Sequence, residues 1–398
     1  MKFAHLADTH IRNLKYHYEY RVIFDQIYEK LREEKVDCII HCGDLAHTKT
    51  QLSPEYFEMA SNFLKNLADI APTYIIPGNH DGNLRNSSRQ DAITPIVEAL
   101  EHPNLSLLKD SGETALDDKF TLNVLSVFDE DNWINPSDED KINIALYHGS
   151  ISGVKTDLGW TMEHGENDIS IFDKFDFAFL GDIHKTNQIL DPEGRVRYPG
   201  STIQQNHGES NDKGLLIWDV QSRDNFEVEH VSFINPKPFI TVNLTLKGRI
   251  PNKTKVPEGA RLRLVSNNNL SLDVLKKSVD VAKARFKPES VTFLNRASGD
   301  RTDITDSINN IFQENLRDSA VQKRLIKDYL KDYSPTDEVI EKTLELNKKY
   351  SSAAEEDEEV ARNINWRLKS IEWDSLFNYG EKNKINFENL NGVVGIFG

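Results

Sequence analysis

Five short polar segments, each placed directly after an apolar strand-like run, constrain this chain more than any other feature of its sequence. The clearest one is residues 77–81, Pro-Gly-Asn-His-Asp, which follow the β-branched and aromatic run Thr73–Ile76. The Pro-Gly pair ends the strand and presents amide, imidazole and carboxylate groups on one turn. By itself this turn is as consistent with an ordinary polar loop as with a binding site at the carboxyl end of a strand.

The other four segments have the same placement. Helical patterns in residues 22–31 and 54–68 separate the first three strand-like runs. Alternating strands, polar turns and helices favour a layered α/β domain with buried strands, whose carboxyl ends share one edge. The four segments are residues 8–10 (Asp-Thr-His), 41–45 (His-Cys-Gly-Asp-Leu), 147–149 (Tyr-His-Gly) and 181–184 (Gly-Asp-Ile-His).

Together the five segments form a candidate metal site. Carboxylate, amide and imidazole ligands without thiolates suit Mn, Mg or Fe better than a structural zinc. The number of these ligands exceeds what one ion needs. It suits two ions roughly 3.5–4 Å apart, the arrangement that hydrolyses phosphoesters. We interpret Asp81 as support for its turn or for His80 rather than as a metal ligand, and His5, His17, His102 and His207 as ordinary histidines. The candidate ligands and their neighbouring imidazole are Asp8, His10, Asp44, Asn79, His80, His148, Asp182 and His184.

Composition places further limits on the chain. Its 398 residues allow two or three domains, and a 28% charged content with a net charge of −16 indicates a soluble protein. An acidic chain is not an obvious nucleic-acid binder, so any DNA contact needs local basic clusters, metal ions or a partner. No run is long enough to span a membrane and the N-terminus does not resemble a signal peptide. Cys38 and Cys42 match no redox or zinc pattern, so we expect a reduced, cytoplasmic setting.

The five polar segments resemble the five motifs of the calcineurin-like metallophosphoesterases. Residues 6–10, 43–47, 147–150 and 198–201 narrow the resemblance to the SbcD-type nuclease of DNA double-strand-break repair, including its phage recombination endonuclease branch. The resemblance extends in order from residue 1 to about residue 350. It implies a two-sheet α/β/β/α metallophosphoesterase sandwich with a small α+β capping domain and C-terminal helices.

The resemblance also implies roles for the site residues. Asp8, His10 and His184 would hold one metal ion, with Asp44 as the bridge. A second set, Asn79, His148 and Asp182, would hold the other ion. Two divalent ions are expected, with Mn preferred and Mg possible. His80 would be the catalytic histidine facing the phosphate, and His47, placed with it among the catalytic residues, would contact the phosphate or support the ligands from outside the metal site.

One residue departs from the family pattern. Where the family usually has Gly-His-x-His, this chain has Gly181-Asp182-Ile183-His184. A carboxylate at position 182 can still ligate Mn or Mg, but it makes the second metal site more anionic and alters its expected preference.

Basic residues near the motifs are candidates for DNA phosphate contacts, although ordinary surface charge explains each of them as well. They follow the first, third and fifth polar segments in the chain. The candidates are Arg12, Lys15, Arg85, Arg89 and Lys185.

The predicted domains follow from composition and from the resemblance. Strand-like runs at residues 188–190, 214–218 and 226–231 are expected to belong to a second sheet stacked on the first. The tail from residue 364 resembles the first strands of an SMC-like ATPase, yet the sequence stops before a phosphate-binding Lys, so we expect no ATP binding by this chain alone. The tail is read as part of a nuclease–ATPase fusion, with a natural end or chance similarity as alternatives. The predicted segments are 1–235 (nuclease domain), 236–298 (DNA-capping domain), 303–350 (ATPase-binding helices), 351–363 (acidic linker) and 364–398 (start of the ATPase-like domain).

The expected function is therefore Mn-dependent hydrolysis of DNA phosphodiesters, as a 3′→5′ exonuclease and single-strand endonuclease in double-strand-break repair or recombination. The resemblance implies an SMC-like ABC ATPase partner, a homodimer and the cytoplasm of a phage-infected or bacterial cell. The alternative is a metallophosphodiesterase or phosphatase acting on a substrate other than DNA, because the metal chemistry is shared. A DNA-end scaffold without activity is disfavoured by the intact ligand set.

Overall fold

The computed structural model describes residues 1–49, 52–84, 86, 89–296, 319–330, 336–356, 369–374 and 380–386. Residues 1–312 and 313–398 form two compact units, which are described separately. The helices are α1 His17–Glu34, α2 Pro54–Ile70, α3 Thr94–Leu100, α4 Leu272–Phe286, α5 Ser319–Leu330 and α6 Asp337–Glu356. The strands are β1 Lys2–Leu6, β2 Cys38–Cys42, β3 Thr73–Ile76, β4 Leu105–Leu107, β5 Gly112–Ala115, β6 Phe120–Leu125, β7 Ile142–His148, β8 Phe177–Gly181, β9 Gln188–Ile189, β10 Val196–Tyr198, β11 Gly214–Ser222, β12 Asn225–Ser232, β13 Phe239–Asn243, β14 Arg261–Ser266, β15 Ser290–Asn295, β16 Ser370–Trp373 and β17 Asn383–Asn386.

The first sheet has the order β12-β11-β1-β2-β3-β4. Strands β1 to β4 are parallel, whereas β11 runs antiparallel to β1 and pairs Asp219 with Lys2. The prediction that residues 214–218 and 226–231 belong to the second sheet is therefore wrong. Alternation within a strand indicates which face is buried, but it carries no information about which distant strand provides the hydrogen bonds.

The second sheet has the order β5-β6-β7-β8-β10-β9, with β6, β7 and β8 parallel. Its central strands β7 and β8 are buried along their whole length. Fully buried parallel strands give continuous apolar runs, which is why both were recognisable in the sequence.

Three apolar layers hold the sandwich together. Helices α1 to α3 cover the outer face of the first sheet, where Ile23, Ile39 and Phe63 are fully or almost fully buried. Between the sheets, Phe179 stacks on Trp218 with ring centroids 4.6 Å apart. The outer face of the second sheet is covered by loops and the short 3-10 helix Ile169–Phe172. The predicted two-sheet sandwich is confirmed, with this short helix and its loops as the fourth layer.

A smaller three-stranded parallel sheet, β13-β14-β15, packs against α4 around its own apolar cluster. Arg261 at the start of β14 forms an ion pair with the buried Glu19 of α1, and its Nε lies 2.8 Å from Glu289. These contacts hold the small sheet against the larger domain within residues 1–312. The small sheet and the sandwich belong to the same compact unit, residues 1–312. The predicted domain boundary near residue 236 therefore stays a prediction.

In the second unit, α5 and α6 are joined by a hydrogen bond of 2.8 Å from Asn347 Nδ2 to Gln322 Oε1. Strands β16 and β17 form an antiparallel pair. Most of the predicted linker and the glycine-rich end of the tail, residues 387–398, lie outside the described residues. Among the described helices, none combines the length and apolar character that crossing a membrane requires.

Candidate metal centre

The predicted ligands converge where the carboxyl ends of β1, β2 and β3 of the first sheet meet those of β7 and β8 of the second sheet. His148 is the last residue of β7, and the remaining ligands lie in the turns that follow the other four strands. Ligand atoms of Asp8, His10 and His184 lie within 4.8 Å of one another, as do those of Asp8, Asp44 and His148. The strand ends thus bring together residues that are up to 176 positions apart.

Four of these residues have a backbone conformation that side chains rarely adopt. Their φ angles are positive: 53° at Asp8, 46° at His10, 58° at Asp44 and 98° at Asp182. Such conformations cost free energy and persist where the surrounding fold holds them in place, which is common at functional sites. Here they turn the chain sharply at the strand end and direct the side chains into the gap between the sheets.

Asp44 lies between the two groups of ligands. Its Oδ2 is 3.5 Å from His10 Nε2, and its Oδ1 is 3.4 Å from His148 Nε2. His10 Nε2 is in turn 3.0 Å from His184 Nε2. This arrangement fits the predicted bridging role of Asp44, since each carboxylate oxygen faces a different group.

The second group contains Asn79, His148 and Asp182. Asn79 Nδ2 donates a hydrogen bond of 3.2 Å to Asp182 Oδ1, which also lies 3.9 Å from His148 Nε2. In the described part of the chain, Asn79 Oδ1 and His148 Nε2 are buried without a hydrogen-bond partner. An amide oxygen and an imidazole nitrogen left unpaired beside two carboxylates are a suitable donor set for a divalent cation. The residues present therefore fit a metal pair.

The ionisable groups of the site strongly perturb one another. Burial raises the pKa of Asp8 to about 7. Burial also acts to raise the pKa of Asp44, but the adjacent His148 and His10 outweigh it and hold that pKa below its usual range. Burial acts to lower the pKa of His148, and the carboxylate of Asp44 outweighs it in the opposite direction. The ionised form of these buried carboxylates is stabilised by nearby positive charge, which a divalent cation supplies.

Hydrogen bonds to the opposite ring nitrogen orient the histidines. His148 Nδ1 lies 2.7 Å from the carbonyl oxygen of Cys42, and His184 Nδ1 lies 2.9 Å from Glu209 Oε1. Because a carbonyl oxygen only accepts hydrogen bonds, the Nδ1 atom of His148 carries the proton and Nε2 faces the site.

Asp81 organises the turn at residues 77–81, as interpreted from the sequence. Its fully buried carboxylate accepts hydrogen bonds from the backbone amides of Gly78, Asp44 and Ala46 at 2.8–2.9 Å. Gly78 is needed at this turn, because a Cβ there would lie 2.3 Å from Asp44 Oδ1. The turn after β3 and the turn after β2 are therefore held together by one side chain.

His80 lies on the exposed side of the site. Its Nδ1 is 2.8 Å from the carbonyl oxygen of His47, and its ring centroid is 4.9 Å from that of His10. With Nδ1 bound to a carbonyl, Nε2 is the ring atom available to a substrate. His47 stacks against His80 with ring centroids 6.2 Å apart, so its carbonyl and its ring both help to place His80.

Sequence reasoning missed the residues that bind the ring and the carbonyl oxygen of His184 on the side away from the other ligands. Glu209 and Lys213 have side chains only 6% and 3% exposed, and Lys213 Nζ donates to the carbonyl oxygen of His184 at 2.6 Å. Lys213 also pairs with Asp157 at 2.7 Å. Glu209 lies in an irregular segment with no strand before it, so no local pattern marked it.

The candidate phosphate-contacting residues are distributed unevenly. Arg12 lines a small cleft with His47, and Lys185 lines a larger cleft of about 380 Å³ with Asp182 and His184. Lys15 lies over the ring of Tyr16 at 4.8 Å. Arg89 is exposed, and Arg85 lies outside the described residues. Their contacts with DNA remain predictions.

The chain is similar to two viral proteins. "Uncharacterized protein R555" of Acanthamoeba polyphaga mimivirus is 30% identical over 425 residues, which cover 99% of this chain and 30% of the viral protein. "Putative phosphoesterase 244L" of Invertebrate iridescent virus 6 is 28% identical over 204 residues, which cover 48% of this chain and 67% of the relative. The chain thus spans less than a third of the mimivirus protein.

A family profile matches the part of the chain that contains every predicted ligand. Residues 1–186, from β1 to the turn that carries His184, match the calcineurin-like phosphoesterases. The profile ends just after the fifth polar segment, and the geometry of the metal centre agrees with it. Residues 1–186 are therefore similar to the calcineurin-like phosphoesterases over the stretch that contains every predicted ligand.

Proposed function

We propose that this chain is a metal-dependent DNA nuclease that hydrolyses phosphodiesters, with Mn as the preferred ion and Mg as a substitute. The observation that carries the proposal is the convergence of two ligand groups around Asp44, on the same compact unit as a strongly basic small domain. The first feature supports phosphoester hydrolysis, and the second supports a polyanionic substrate.

The small domain is basic although the chain is acidic. Residues 236–296 contain 13 Lys and Arg against four Asp and Glu, a net charge of +9, whereas the whole chain carries −16. A cleft of about 470 Å³ on this domain is lined by Lys247, Arg249, Lys277 and Arg285, and the described lining contains no carboxylate. Clustered Lys and Arg are the electrostatic signature of a surface that binds nucleic-acid phosphates.

The residues of the metal centre have separable tasks in such a reaction. When bound, two divalent cations lower the pKa of a water molecule and neutralise charge on the phosphate oxygens. Asp44 keeps the two ligand groups adjacent, and Asp81 holds the turns that carry Asp44 and His80. His80, exposed and fixed through Nδ1, can stabilise the phosphate in the transition state or protonate the departing oxygen.

We further propose that the nuclease acts as a 3′→5′ exonuclease and single-strand endonuclease, as a homodimer, with an SMC-like ATPase. Support for a protein partner comes from α6, where Val339, Leu346 and Tyr350 recur at helical spacing and are 48%, 44% and 65% exposed. An apolar stripe of this kind on a helix suits docking against another apolar surface. The polarity of cleavage and the homodimer rest on the sequence resemblance.

The alternative is a phosphodiesterase or phosphatase with a smaller substrate. It is favoured by the iridescent virus relative, whose name specifies a phosphoesterase without a nucleic-acid substrate. The metal centre is equally suited to both reactions, so the basic cleft is the feature that separates them.

The test compares two substrates across three proteins. The wild type, His80→Ala and the triple variant Lys247→Glu/Arg249→Glu/Lys277→Glu are incubated with labelled linear duplex DNA and with bis-p-nitrophenyl phosphate, with Mn or Mg. We expect the wild type to degrade DNA, His80→Ala to lose activity on both substrates, and the triple variant to lose activity on DNA alone. Strong turnover of the small ester without DNA degradation by the wild type would favour the alternative.

A further inference from the structure

The two ligand groups differ in their donor atoms. The first group provides two imidazoles, from His10 and His184, and the carboxylate of Asp8 besides the shared Asp44. The second group provides a single imidazole, from His148, together with oxygen atoms only, from Asn79, Asp182 and the shared Asp44. The two metal positions are therefore chemically unequal.

Asp182 is built into the second position. Its backbone has a positive φ of 98°, and its amide donates to both carboxylate oxygens of Asp8 at 3.1 Å. Its Oδ1 lies within 4 Å of both Asn79 Nδ2 and His148 Nε2. The carboxylate is thus placed by its own backbone turn as well as by its neighbours, and its orientation toward the second position is specific.

The donor set at the second position favours hard cations. Mg²⁺ and Mn²⁺ prefer carboxylate and carbonyl oxygen, whereas Zn²⁺ gains more from imidazole nitrogen. Mg²⁺ also keeps several water ligands, which needs access to solvent. The Asp182 side chain is 22% exposed, in contrast to 2% for Asp44 and 1% for His148, so the open side of this position adjoins Asp182.

We infer that Asp182 shifts the metal preference of the second position toward Mg²⁺ or Mn²⁺ and away from Zn²⁺, relative to the first position with its two imidazoles. The inference rests on the proposed function in so far as both require a metal pair. It concerns binding alone, so it is tested without turnover.

The experiment measures Mn²⁺ bound to the EDTA-stripped chain by electron paramagnetic resonance, followed by competition with Mg²⁺ and, separately, with Zn²⁺. In the wild type we expect two bound Mn²⁺, of which Mg²⁺ displaces one. In Asp182→His we expect Mg²⁺ to compete about tenfold less well, the scale of a change in the ligand environment, while Zn²⁺ displaces the Mn²⁺ at the second position more readily. Asp182→Asn, which keeps an oxygen donor but removes the charge, is expected to lie between them.

Glu166→Gln is the matched control. Its carboxylate lies near Asp182 and accepts a hydrogen bond of 3.3 Å from the amide of Ser150, but it belongs to none of the ligand groups found among the described residues. The substitution removes one negative charge without removing a ligand, so competition by Mg²⁺ should match that of the wild type.

The outcomes separate the inference from the proposed function. Equal displacement of both Mn²⁺ ions by Mg²⁺, or identical competition in the wild type and Asp182→His, would overturn the inference. Failure of the wild type to bind Mn²⁺ would overturn the inference and the metal centre together. Selective displacement in a protein that degrades no DNA would leave the inference standing and refute the nuclease.

Discussion

Single residues at this site act mainly by fixing backbone. Asp81 is not itself a predicted metal ligand, yet its carboxylate accepts amide hydrogen bonds from the turns that carry Asp44 and Asn79. A buried amide that loses its acceptor costs about 1–3 kcal/mol. The geometry of the metal centre therefore depends on a residue that need not touch metal or substrate.

Replacement of Asp81 tests this dependence. Asp81→Ala leaves several buried amides unpaired and should lower the free energy of unfolding by about 3 kcal/mol or more, whereas Asp81→Asn keeps one acceptor and should lose less. Urea unfolding in the presence of EDTA measures the change without a contribution from metal. The control is Asp110→Ala, at an exposed position. A loss for Asp81→Ala no larger than that of the control would contradict the prediction.

Glu209 acts on the first ligand group through His184. Glu209→Ala should weaken binding of Mn²⁺ at the first ligand group by about 10–100-fold, because His184 loses the acceptor that orients its ring. Glu209→Gln retains an acceptor and should have a smaller effect. Isothermal titration with Mn²⁺ gives both values, and unchanged affinity in Glu209→Ala would show that the hydrogen bond of 2.9 Å is not required for ligation.

Among the structural elements, an arginine of the small sheet forms a buried link to the larger domain. Arg261 of β14 pairs with Glu19 of α1 and with Glu289, and its guanidinium lies 4.7 Å from the ring centroid of Tyr16. Glu19 is 1% exposed, and burial raises its pKa. The contact thus joins two elements through a charge pair that is largely removed from water.

A double-mutant cycle measures this contact. Arg261→Met leaves Glu19 buried without its cation and should cost about 3–5 kcal/mol of unfolding free energy, while Arg261→Met combined with Glu19→Leu should recover much of that loss. Urea unfolding of the four proteins gives the coupling. Additive effects of the two substitutions would mean that the ion pair does not carry the interaction.

At the scale of the whole molecule, the buried histidines make stability depend on pH. His5 lies between the sheets and His41 lies in β2, and burial lowers the pKa of each to about 3 from 6.5. Because the unfolded chain binds these protons at a higher pH than the folded chain, the stabilisation is complete above about pH 6.5 and declines as the pH falls toward 3.

Each of the two histidines should change the free energy of unfolding by up to about 1.4 kcal/mol per pH unit. The contribution of these two histidines to the free energy of unfolding, measured in urea with EDTA, should therefore fall between pH 6.5 and pH 5, whereas the buried Asp8, whose pKa is raised to about 7, contributes in the opposite direction. His5→Gln keeps a donor for the carbonyl oxygen of Leu180 and should reduce the slope by one histidine's share. A slope that is the same in both proteins would show that His5 does not contribute.

The local features of this protein can be predicted from neighbouring residues in the chain. The strand Thr73–Ile76 was predicted with the bounds that it has, and the polar turns after β1, β2, β3, β7 and β8 were recognised as one site. Both could be predicted for the same reason: a buried strand and the turn that ends it are encoded in adjacent residues, and parallel strands place their carboxyl ends at one edge.

The contacts between distant parts of the chain are visible only in the folded protein. Strand β11 pairs with β1, Glu209 orients His184 across 25 residues, and Asp182 faces Asn79 across 103 residues. Hydrophobic periodicity depends on residues a few positions apart, whereas these pairings join segments far apart in the chain, within one sheet or between the two sheets. The chemical types of the ligands were therefore readable from the chain, and the family resemblance implied their division between two metal positions, but the contacts that orient each ligand required the fold.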